Sequence, residues 1–380
     1  MQKKLIALAI AGLASSAAFA QTNVTIYGLM DFGYVRSSGD DGGITNAKGT
    51  NRLDSGVAGA NRLGFKGVED LGNGLKFIFE AEYGFSGDQS TGLSSVRHAY
   101  VGATGAFGTF VGGRLDGVRY GIFNKYDAFA GGTVGNFTQM TGQVDRANSA
   151  IAYISPTWSG FSVLGAFATN IGSQTNALGL SAQETNGNDL DGQLITLMGN
   201  YSNGPIDITL DWERVNFDKF NLGATSDSVG IVGGVPAVVA GSAGIPLDKD
   251  TVTTIAGSYD FGVVKLRALW DRQKLDGRDG VGTIADWRSW FVSATAPMGN
   301  FLLKATYGQT KDKEASDSKA KKFGLGVDYN LSKRTRLYAD YGNISQDNGS
   351  AIGITYAPNN NAGSGLGATR GFDFGVQHKF

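Results

Sequence analysis

An alternation of apolar and polar residues recurs along this 380-residue chain and limits the folds open to it. In LKFIFEAEYGF, residues 75–85, the apolar side chains at odd positions alternate with Lys76, Glu80 and Glu82. The last ten residues, GFDFGVQHKF, alternate in the same way and end on an aromatic residue. The termini of soluble domains, by contrast, are usually frayed and polar. Successive side chains of a β-strand point to opposite faces, so this period predicts strands with one apolar and one polar face.

Five further stretches repeat the pattern and extend it over most of the chain. They are NVTIYGLMDFGYVR (23–36), IDITLDW (206–212), VKLRALW (264–270), KFGLGVDY (322–329) and RLYADYG (336–342). In the first, Leu29 is an apolar exception on the polar face.

Short turns between these stretches allow the strands to be counted. Seven are predicted, at 69–76, 105–110, 155–161, 202–207, 259–264, 296–303 and 330–336. If each turn joins a pair of strands, and one strand precedes and one follows them, the total is 16. Eight longer polar or glycine-rich segments lie at 37–59, 86–95, 115–146, 171–190, 216–250, 275–284, 311–319 and 344–368. Short turns at one end, long loops at the other and an even strand number are typical of an all-β outer-membrane β-barrel.

The first twenty residues predict export. They combine a basic start (Lys3, Lys4) and an apolar run with the small-residue ending Ala18-Phe19-Ala20, the layout of a secretory signal peptide cleaved after Ala20. The chain has no cysteine, so a protein of this length would fold in an oxidising compartment without disulfides. Its 33 basic and 34 acidic residues give no charge bias toward nucleic acid.

The strands of a soluble β-sandwich or solenoid in a secreted adhesin would also alternate between apolar and polar residues. Such a fold, however, does not favour aromatic residues at the ends of its strands. Ten aromatics lie near predicted strand ends, where membrane interfaces favour them: Tyr27, Tyr34, Tyr83, Phe85, Tyr100, Tyr259, Trp270, Tyr329, Tyr341 and Phe380. The terminal strand would then pair with the strand near Val24 and close the barrel, which satisfies the backbone hydrogen bonds that a bilayer demands.

Several motifs resemble those of the general, non-specific porins of Gram-negative outer membranes, of the Neisseria and Burkholderia type. They are VTIYGLMDFGY, NRLGFKGVEDLGNGLKFIFEAEYGF (61–85), RHAYVGATGAFGTFVGGR (97–114), NSAIAYISPTWSGF (148–161) and the closing FGVQHKF. The resemblance implies a single 16-stranded antiparallel transmembrane β-barrel over 21–380, with short periplasmic turns, long extracellular loops and an inward-folded third loop. It also implies a homotrimer in the cell outer membrane, in contact with lipid and lipopolysaccharide. Phe380 is similar to the C-terminal aromatic by which such barrels are recognised by the assembly machinery.

A barrel of 16 strands is too wide for side chains to fill, so it encloses water, and function depends on its narrowest point. The resemblance identifies 115–146 as the constriction loop, with Asp116 and Asp127 facing the pore. It places a row of arginines opposite, Arg62, Arg97 and Arg146, and the alternation puts Lys66 on the same polar face as Arg62, so that the four form a basic wall. Because these bases outnumber the loop acids, we predict a general diffusion channel for ions and small hydrophilic solutes with weak anion preference. Acidic residues that face the lumen elsewhere could offset this anion preference. The family contains both anion-preferring and cation-preferring channels.

Catalysis has little support in the sequence. The two histidines, His98 and His378, lie beside no nucleophile motif, and both are interpreted as lipid-facing or interfacial. The spacing of histidine and acidic residues indicates no dedicated transition-metal site, and no cofactor is predicted. Two alternatives stay open: a substrate-specific channel for sugars or small carboxylates, and a barrel acting mainly as an adhesin or receptor through its loops.

Overall fold

The structure, a computed structural model, describes residues 23–39, 49–90, 92–141, 144–170, 192–217, 221–222, 228–232, 235–239, 244–314, 318–347 and 368–380. The predicted signal peptide 1–20 and its cleavage site lie outside these residues, as do most of the predicted loops 171–190 and 344–368.

Strands account for most of the described chain. The first ten are β1 (Asn23–Ser38), β2 (Thr50–Ser55), β3 (Arg62–Gly72), β4 (Leu75–Phe85), β5 (Leu93–Gly105), β6 (Gly108–Asp116), β7 (Arg146–Ile154), β8 (Phe161–Asn170), β9 (Gln193–Asn203) and β10 (Ile206–Asn216). The others are β11 (Asn221–Leu222), β12 (Ser228–Val232), β13 (Val235–Val239), β14 (Ile245–Asp260), β15 (Lys265–Gly277), β16 (Gly282–Met298), β17 (Phe301–Asp312), β18 (Lys319–Asn330), β19 (Thr335–Asp347) and β20 (Arg370–Lys379). Helix α1 (Val118–Tyr126) and a 3-10 turn (Thr138–Met140) lie between β6 and β7. None of the described helices is long and apolar enough to cross a membrane.

The strands form a closed antiparallel barrel of 16 wall positions, as predicted. β1 pairs with β20 from Leu29↔Lys379 to Ser38↔Arg370, so the last strand closes the sheet onto the first. β2 and β3 together fill one position because they pair with opposite halves of β1. In the same way, β11 continues the position of β10 beside β14, and β12 and β13 form a separate hairpin.

The connections follow the predicted order. All seven predicted short turns join adjacent strands, with two to six residues between the strand ends. The predicted long loop 275–284 is an exception, because β15 and β16 extend into it and leave only 278–281 between them.

The two faces of the strands are divided as the alternation predicts. Ile26 and Leu210 are exposed on the outer surface, whereas Glu82 and Asp211 are buried on the inner side. Leu29, the exception in the pattern, is buried inside. The polar face of the strands therefore lines the lumen, and the apolar face meets lipid.

Aromatic side chains cluster at the strand ends. Phe301 and Tyr329 lie with ring centroids 4.8 Å apart near the short turns, and Trp290 and Tyr307 lie 5.8 Å apart toward the other end. Two predicted interfacial residues differ. Tyr27 and Tyr100 point into the lumen, where both hydroxyls donate hydrogen bonds to Glu80, because a buried phenol needs a polar partner.

Candidate channel constriction

The third long loop lies inside the barrel over its described residues, 117–141 and 144–145. It leaves and re-enters the wall at one point, where the Gly117 N–H donates to the Asp145 carbonyl at 2.9 Å. A Cβ at Gly117 would lie 1.8 Å from the Val144 carbonyl oxygen, so only glycine allows this approach.

Helix α1 is fixed to the wall by a buried ion pair. The Arg119 guanidinium donates two hydrogen bonds to Asp271 on β15, Nε to Oδ1 at 3.0 Å and Nη2 to Oδ2 at 2.6 Å. The backbone N–H of Arg119 donates to Glu213 on β10 at 3.0 Å. Both side chains of the pair are 1% exposed, so the contact excludes water and sets where the loop begins to cross the lumen.

Asp127 stabilises the loop from within. Its carboxylate accepts hydrogen bonds from the N–H groups of Phe129 (3.2 Å) and Phe137 (2.9 Å) and from the Thr306 hydroxyl on β17 (3.1 Å). The residue is buried, and this burial raises the pKa of its carboxyl group although the two amides lower it. The position differs from the pore-facing one expected from the sequence, because the carboxylate is used by the turn that follows α1.

The end of helix α1 and the rest of the loop pack along the inner wall. Ser293 on β16 donates to the Tyr126 carbonyl at 2.6 Å, and Thr310 on β17 donates to the Met140 carbonyl at 2.9 Å. The Val134 N–H donates to Asp373 on β20 at 2.7 Å. These anchors lie on the walls from β10 to β20, so the loop faces the opposite wall of β3 to β7 across the lumen.

Three predicted arginines meet on that opposite wall. Arg62 and Arg97 share Glu82, with Nε to carboxylate distances of 3.7 Å and 2.6 Å. Arg146 lies 3.3 Å from Asp116. Asp116 also contacts His98 at 2.9 Å, and His98 follows Arg97 directly in β5. Lys66 lies beside this group, with Nζ 5.2 Å from the centroid of the Tyr27 ring.

A β-bulge explains why Arg97 and His98 both point inward. Glu82 pairs with His98 and Tyr83 pairs with Val96, so Arg97 has no opposite residue in β4. A bulge turns one extra side chain toward the same face, which also accounts for the weak alternation of this strand in the sequence. The expectation of a lipid-facing or interfacial His98 is therefore wrong. His378 is exposed on the outer face, where Nδ1 lies 2.9 Å from the Thr335 hydroxyl.

The acids of the site are arranged differently from the prediction. Asp116 is the last residue of β6 and lies on the same wall as the arginines rather than across the lumen. Asp145, which sequence reasoning did not single out, is buried next to Arg146. Burial raises the pKa of Asp145 to about 7, while the positive charge of Arg146 lowers it in part.

Glu80, Glu82 and His98 also form a group whose ligand atoms lie within 4.8 Å of one another, close enough to hold a metal ion. Each carboxylate already has partners, since Glu80 accepts from Tyr100 at 2.7 Å and Glu82 accepts from Arg97 at 2.6 Å. The arginines beside them oppose a further cation. The group is therefore best described as part of an ion-paired network. It could not be predicted from the sequence, because the bulge in β5 is what brings His98 next to the two glutamates.

A family model described as Gram-negative porin matches residues 7–350 of this chain. The chain belongs to the Gram-negative porin family. It is 31% identical over 398 residues to outer membrane porin protein 32 of Delftia acidovorans, with 100% of each chain covered. It is 26% identical to the major outer membrane protein P.IB of Neisseria gonorrhoeae, with 92% and 95% covered.

Solved structures give the same result. An anion-selective porin from Comamonas acidovorans matches with a TM-score of 0.71 and 26% identity, covering 95% of this chain and 100% of that one. The trimer form of OmpT from Vibrio cholerae matches with a TM-score of 0.66 at 16% identity, covering 94% and 99%, which supports the fold alone. This porin is therefore an outer-membrane channel and not an enzyme, as predicted.

Proposed function

We propose that this porin is a general diffusion channel for ions and small hydrophilic solutes, with a weak anion preference set by the wall of β3 to β7. The observation that carries the proposal is the meeting of Arg62, Arg97 and Arg146 on one wall, where Arg62 and Arg97 share the carboxylate of Glu82 and Arg146 contacts Asp116. Lys66 adds a further positive charge beside them. A small local excess of positive charge retains anions longer at the narrow part of the lumen.

Three acids on the far side of the lumen are covered or paired and so add little negative charge to the lumen surface. Asp271 and Asp340 are buried beneath the loop, and each has a cationic partner, Arg119 at 2.6 Å and Lys304 at 2.9 Å respectively. Asp127 is enclosed by the loop itself. The similarity to a structure titled an anion-selective porin supports the same sign.

The test is the reversal potential of single channels in a planar bilayer across a KCl gradient. Wild type should show the sign of anion preference, and Arg62→Gln should move the potential toward the cation side, because the Arg62 side chain is 29% exposed and lies on the lumen wall. Arg214→Gln is the matched control, since Arg214 lies on the outer face of β10, and it should leave the potential unchanged. A cation-preferring wild type would contradict the proposed sign, and a folded barrel without conductance would contradict the channel.

A graded solute series in liposome swelling separates the two alternatives. A general channel shows only a size limit, a substrate-specific channel passes one solute faster than its size allows, and a barrel that acts only as an adhesin passes none.

We further propose that the protein assembles as a homotrimer, as membership of the porin family implies. Conductance steps in groups of three would agree with this, and single independent steps would not. For Phe380 we propose the assembly role that the resemblance implies. Its N–H and carbonyl exchange hydrogen bonds with Gly28 at 3.1 Å and 3.0 Å, so the terminal residue sits at the seam that closes the barrel.

A further inference from the structure

Two cations on the inner face of β15 lie close to the short-turn end of the lumen. Lys265 is the first residue of β15, directly after the turn 261–264, and Arg267 follows two positions later. Leu266 and Ala268 are exposed on the outer surface, so their neighbours Lys265 and Arg267 point into the lumen, where both are partly exposed. Short turns lie on the periplasmic side of such barrels, so this pair stands near the periplasmic opening.

The pair differs from the arginines of the opposite wall in having no carboxylate partner. Arg62, Arg97 and Arg146 each form an ion pair, whereas Lys265 and Arg267 form none within the part of the chain that the structure describes. A carboxylate in contact with a cation offsets much of its positive field. The unpaired charges of β15 are therefore the more available to an anion in the lumen.

The acids of this region are already used by other groups. Lys265 interacts electrostatically with Asp207 and Asp260. The Asp207 carboxylate contacts Lys125 Nζ at 2.6 Å, and the Asp260 carboxylate accepts a hydrogen bond from the Gly262 N–H at 2.9 Å, within the turn. Neither acid forms an ion pair with Lys265, so the wall supplies this lysine with no direct counter-ion.

The guanidinium group of Arg267 lacks an acceptor. Its Nη1 donates to the Thr295 hydroxyl on β16 at 3.1 Å, and this contact orients the group. Its Nε is buried and has no hydrogen-bond partner. An unsatisfied buried donor costs free energy, so a ligand oxygen that accepts from Nε would remove this cost. Together, Nε and Nη2 form an edge of the guanidinium that can bind two oxygens of a carboxylate or a phosphate.

The end of helix α1 adds a third cation. The strand register places four residues in one row of the inner face, across β10, β14, β15 and β16: Asp207, Ser258, Arg267 and Ser293. Helix α1 ends over this row, since Lys125 contacts Asp207 and Ser293 donates to the Tyr126 carbonyl at 2.6 Å. Lys265 interacts electrostatically with Lys125 as well as with Arg267, so three cations converge beneath the end of the helix.

We propose that Lys125, Lys265 and Arg267 form a binding site for small oxyanions, carboxylates or phosphates, near the periplasmic opening of the lumen. The site rests on the proposed channel function, because solutes that cross the lumen pass it. Arg267 binds two oxygens of the ligand, and the two lysines add point charges beside it. An anion between the three cations also offsets their mutual repulsion. Chloride cannot bridge the two donors of the Arg267 edge as a pair of oxygens does, so the site favours oxyanions over chloride.

The test is a titration of inorganic phosphate into the full, folded protein in octyl glucoside, a neutral detergent without phosphate, followed by the phosphorus NMR line width. The variant is K265Q/R267Q. One matched control is R272Q/K274Q, which removes the same two residue types at the same spacing from the outer face of β15. A second control is R62Q/K66Q, which removes the same two residue types from the opposite wall of the lumen.

We expect wild type and R272Q/K274Q to bind phosphate equally. K265Q/R267Q should bind it about tenfold more weakly, because it loses the charge-assisted hydrogen bonds of both side chains. R62Q/K66Q should weaken binding less than K265Q/R267Q does. Acetate should displace phosphate from wild type at a lower concentration than chloride. An unchanged far-UV circular dichroism spectrum shows that a variant has folded. If K265Q/R267Q does not fold, R267Q alone tests the site and should weaken binding in the same direction.

The proposal is overturned if K265Q/R267Q binds phosphate as tightly as wild type, or if R272Q/K274Q loses as much, since only net charge would then matter. A larger loss in R62Q/K66Q would place the phosphate on the opposite wall instead. Displacement by chloride as readily as by acetate would contradict the preference for oxyanions. The titration needs no ion current, so its failure overturns this site and leaves the channel standing, whereas a folded barrel without conductance overturns the proposed function alone.

Discussion

Replacing Arg119 by methionine should release the start of helix α1 from the wall of the lumen. The substitution leaves the Asp271 carboxylate buried without its bidentate partner. Breaking one side of a buried ion pair costs about 3–5 kcal/mol, which shifts the balance between docked and released loop by roughly 150- to 5,000-fold. The end of helix α1 and the second half of the loop keep their own anchors at Ser293, Thr306 and Thr310, so the effect should stay within the lumen and the barrel should remain folded.

Single-channel recording in a neutral bilayer measures this directly. R119M should show greater current noise and closure at lower voltage than wild type, because the freed start of the helix enters the current path. R272M is the control: Arg272 also makes two hydrogen bonds to one aspartate, Asp286, both at 2.9 Å, but its side chain is 43% exposed on the outer surface. Exposed ion pairs of this kind contribute about 0–1 kcal/mol to stability, so R272M should show the current noise and closing voltage of wild type.

A double substitution separates the lost charge from the lost side chain. R119M/D271L removes both partners, and replacing a whole buried pair with apolar groups is often nearly neutral, so its noise should fall back toward wild type. The reasoning is refuted if R119M has the conductance, noise and closing voltage of wild type. It is also refuted if the double variant is as noisy as R119M.

Three further predictions concern the loop and the seam. Because the pKa of Asp145 is raised to about 7, protonation between pH 8 and pH 6 removes a negative charge beside Arg146. The reversal potential should therefore become more anion-preferring as the pH falls. An equally steep pH response in D145N would contradict this. Gly324→Val should lower conductance, since a Cβ there would lie 2.3 Å from the Gly135 carbonyl oxygen and push the loop into the lumen. The control is Gly257→Val, where the atom nearest to an added Cβ is 3.7 Å away, and it should have the conductance of wild type. Phe380→Ala should lower the amount of protein in the outer membrane but not the conductance of refolded channels; an equal loss with Phe374→Ala, an outward aromatic on the same strand, would show that Phe380 has no special role.

The architecture could be predicted from the sequence because it depends on neighbouring residues. Whether Ile26 or Glu82 faces lipid or lumen is decided by its parity along the strand, and a turn is decided by a few adjacent residues. The strand number, the seven short turns and the closing contact of the last strand with β1 all follow from such patterns. The error at 275–284 has the same origin, since the polar residues there continue two strands but have the local composition of a loop.

The candidate site followed from the sequence only in part. Arg62, Arg97 and Arg146 could be named as one wall from motif positions, but their shared partners Glu82 and Asp116 depend on strand register. The inward direction of His98 depends on a bulge that the residue pattern shows only as weak alternation.

The loop itself shows where sequence information ends. Its length and place in the chain predicted that it could fold inward, but the buried partner of Arg119 is Asp271, 152 residues away, and Asp127 bonds Thr306, 179 residues away. No local pattern encodes such distances. The period of two determined the barrel and its two faces, because that property belongs to each strand alone. The tertiary structure decided which charges are paired, which are covered and which face the water, because each of those depends on how the closed wall and the inner loop pack together.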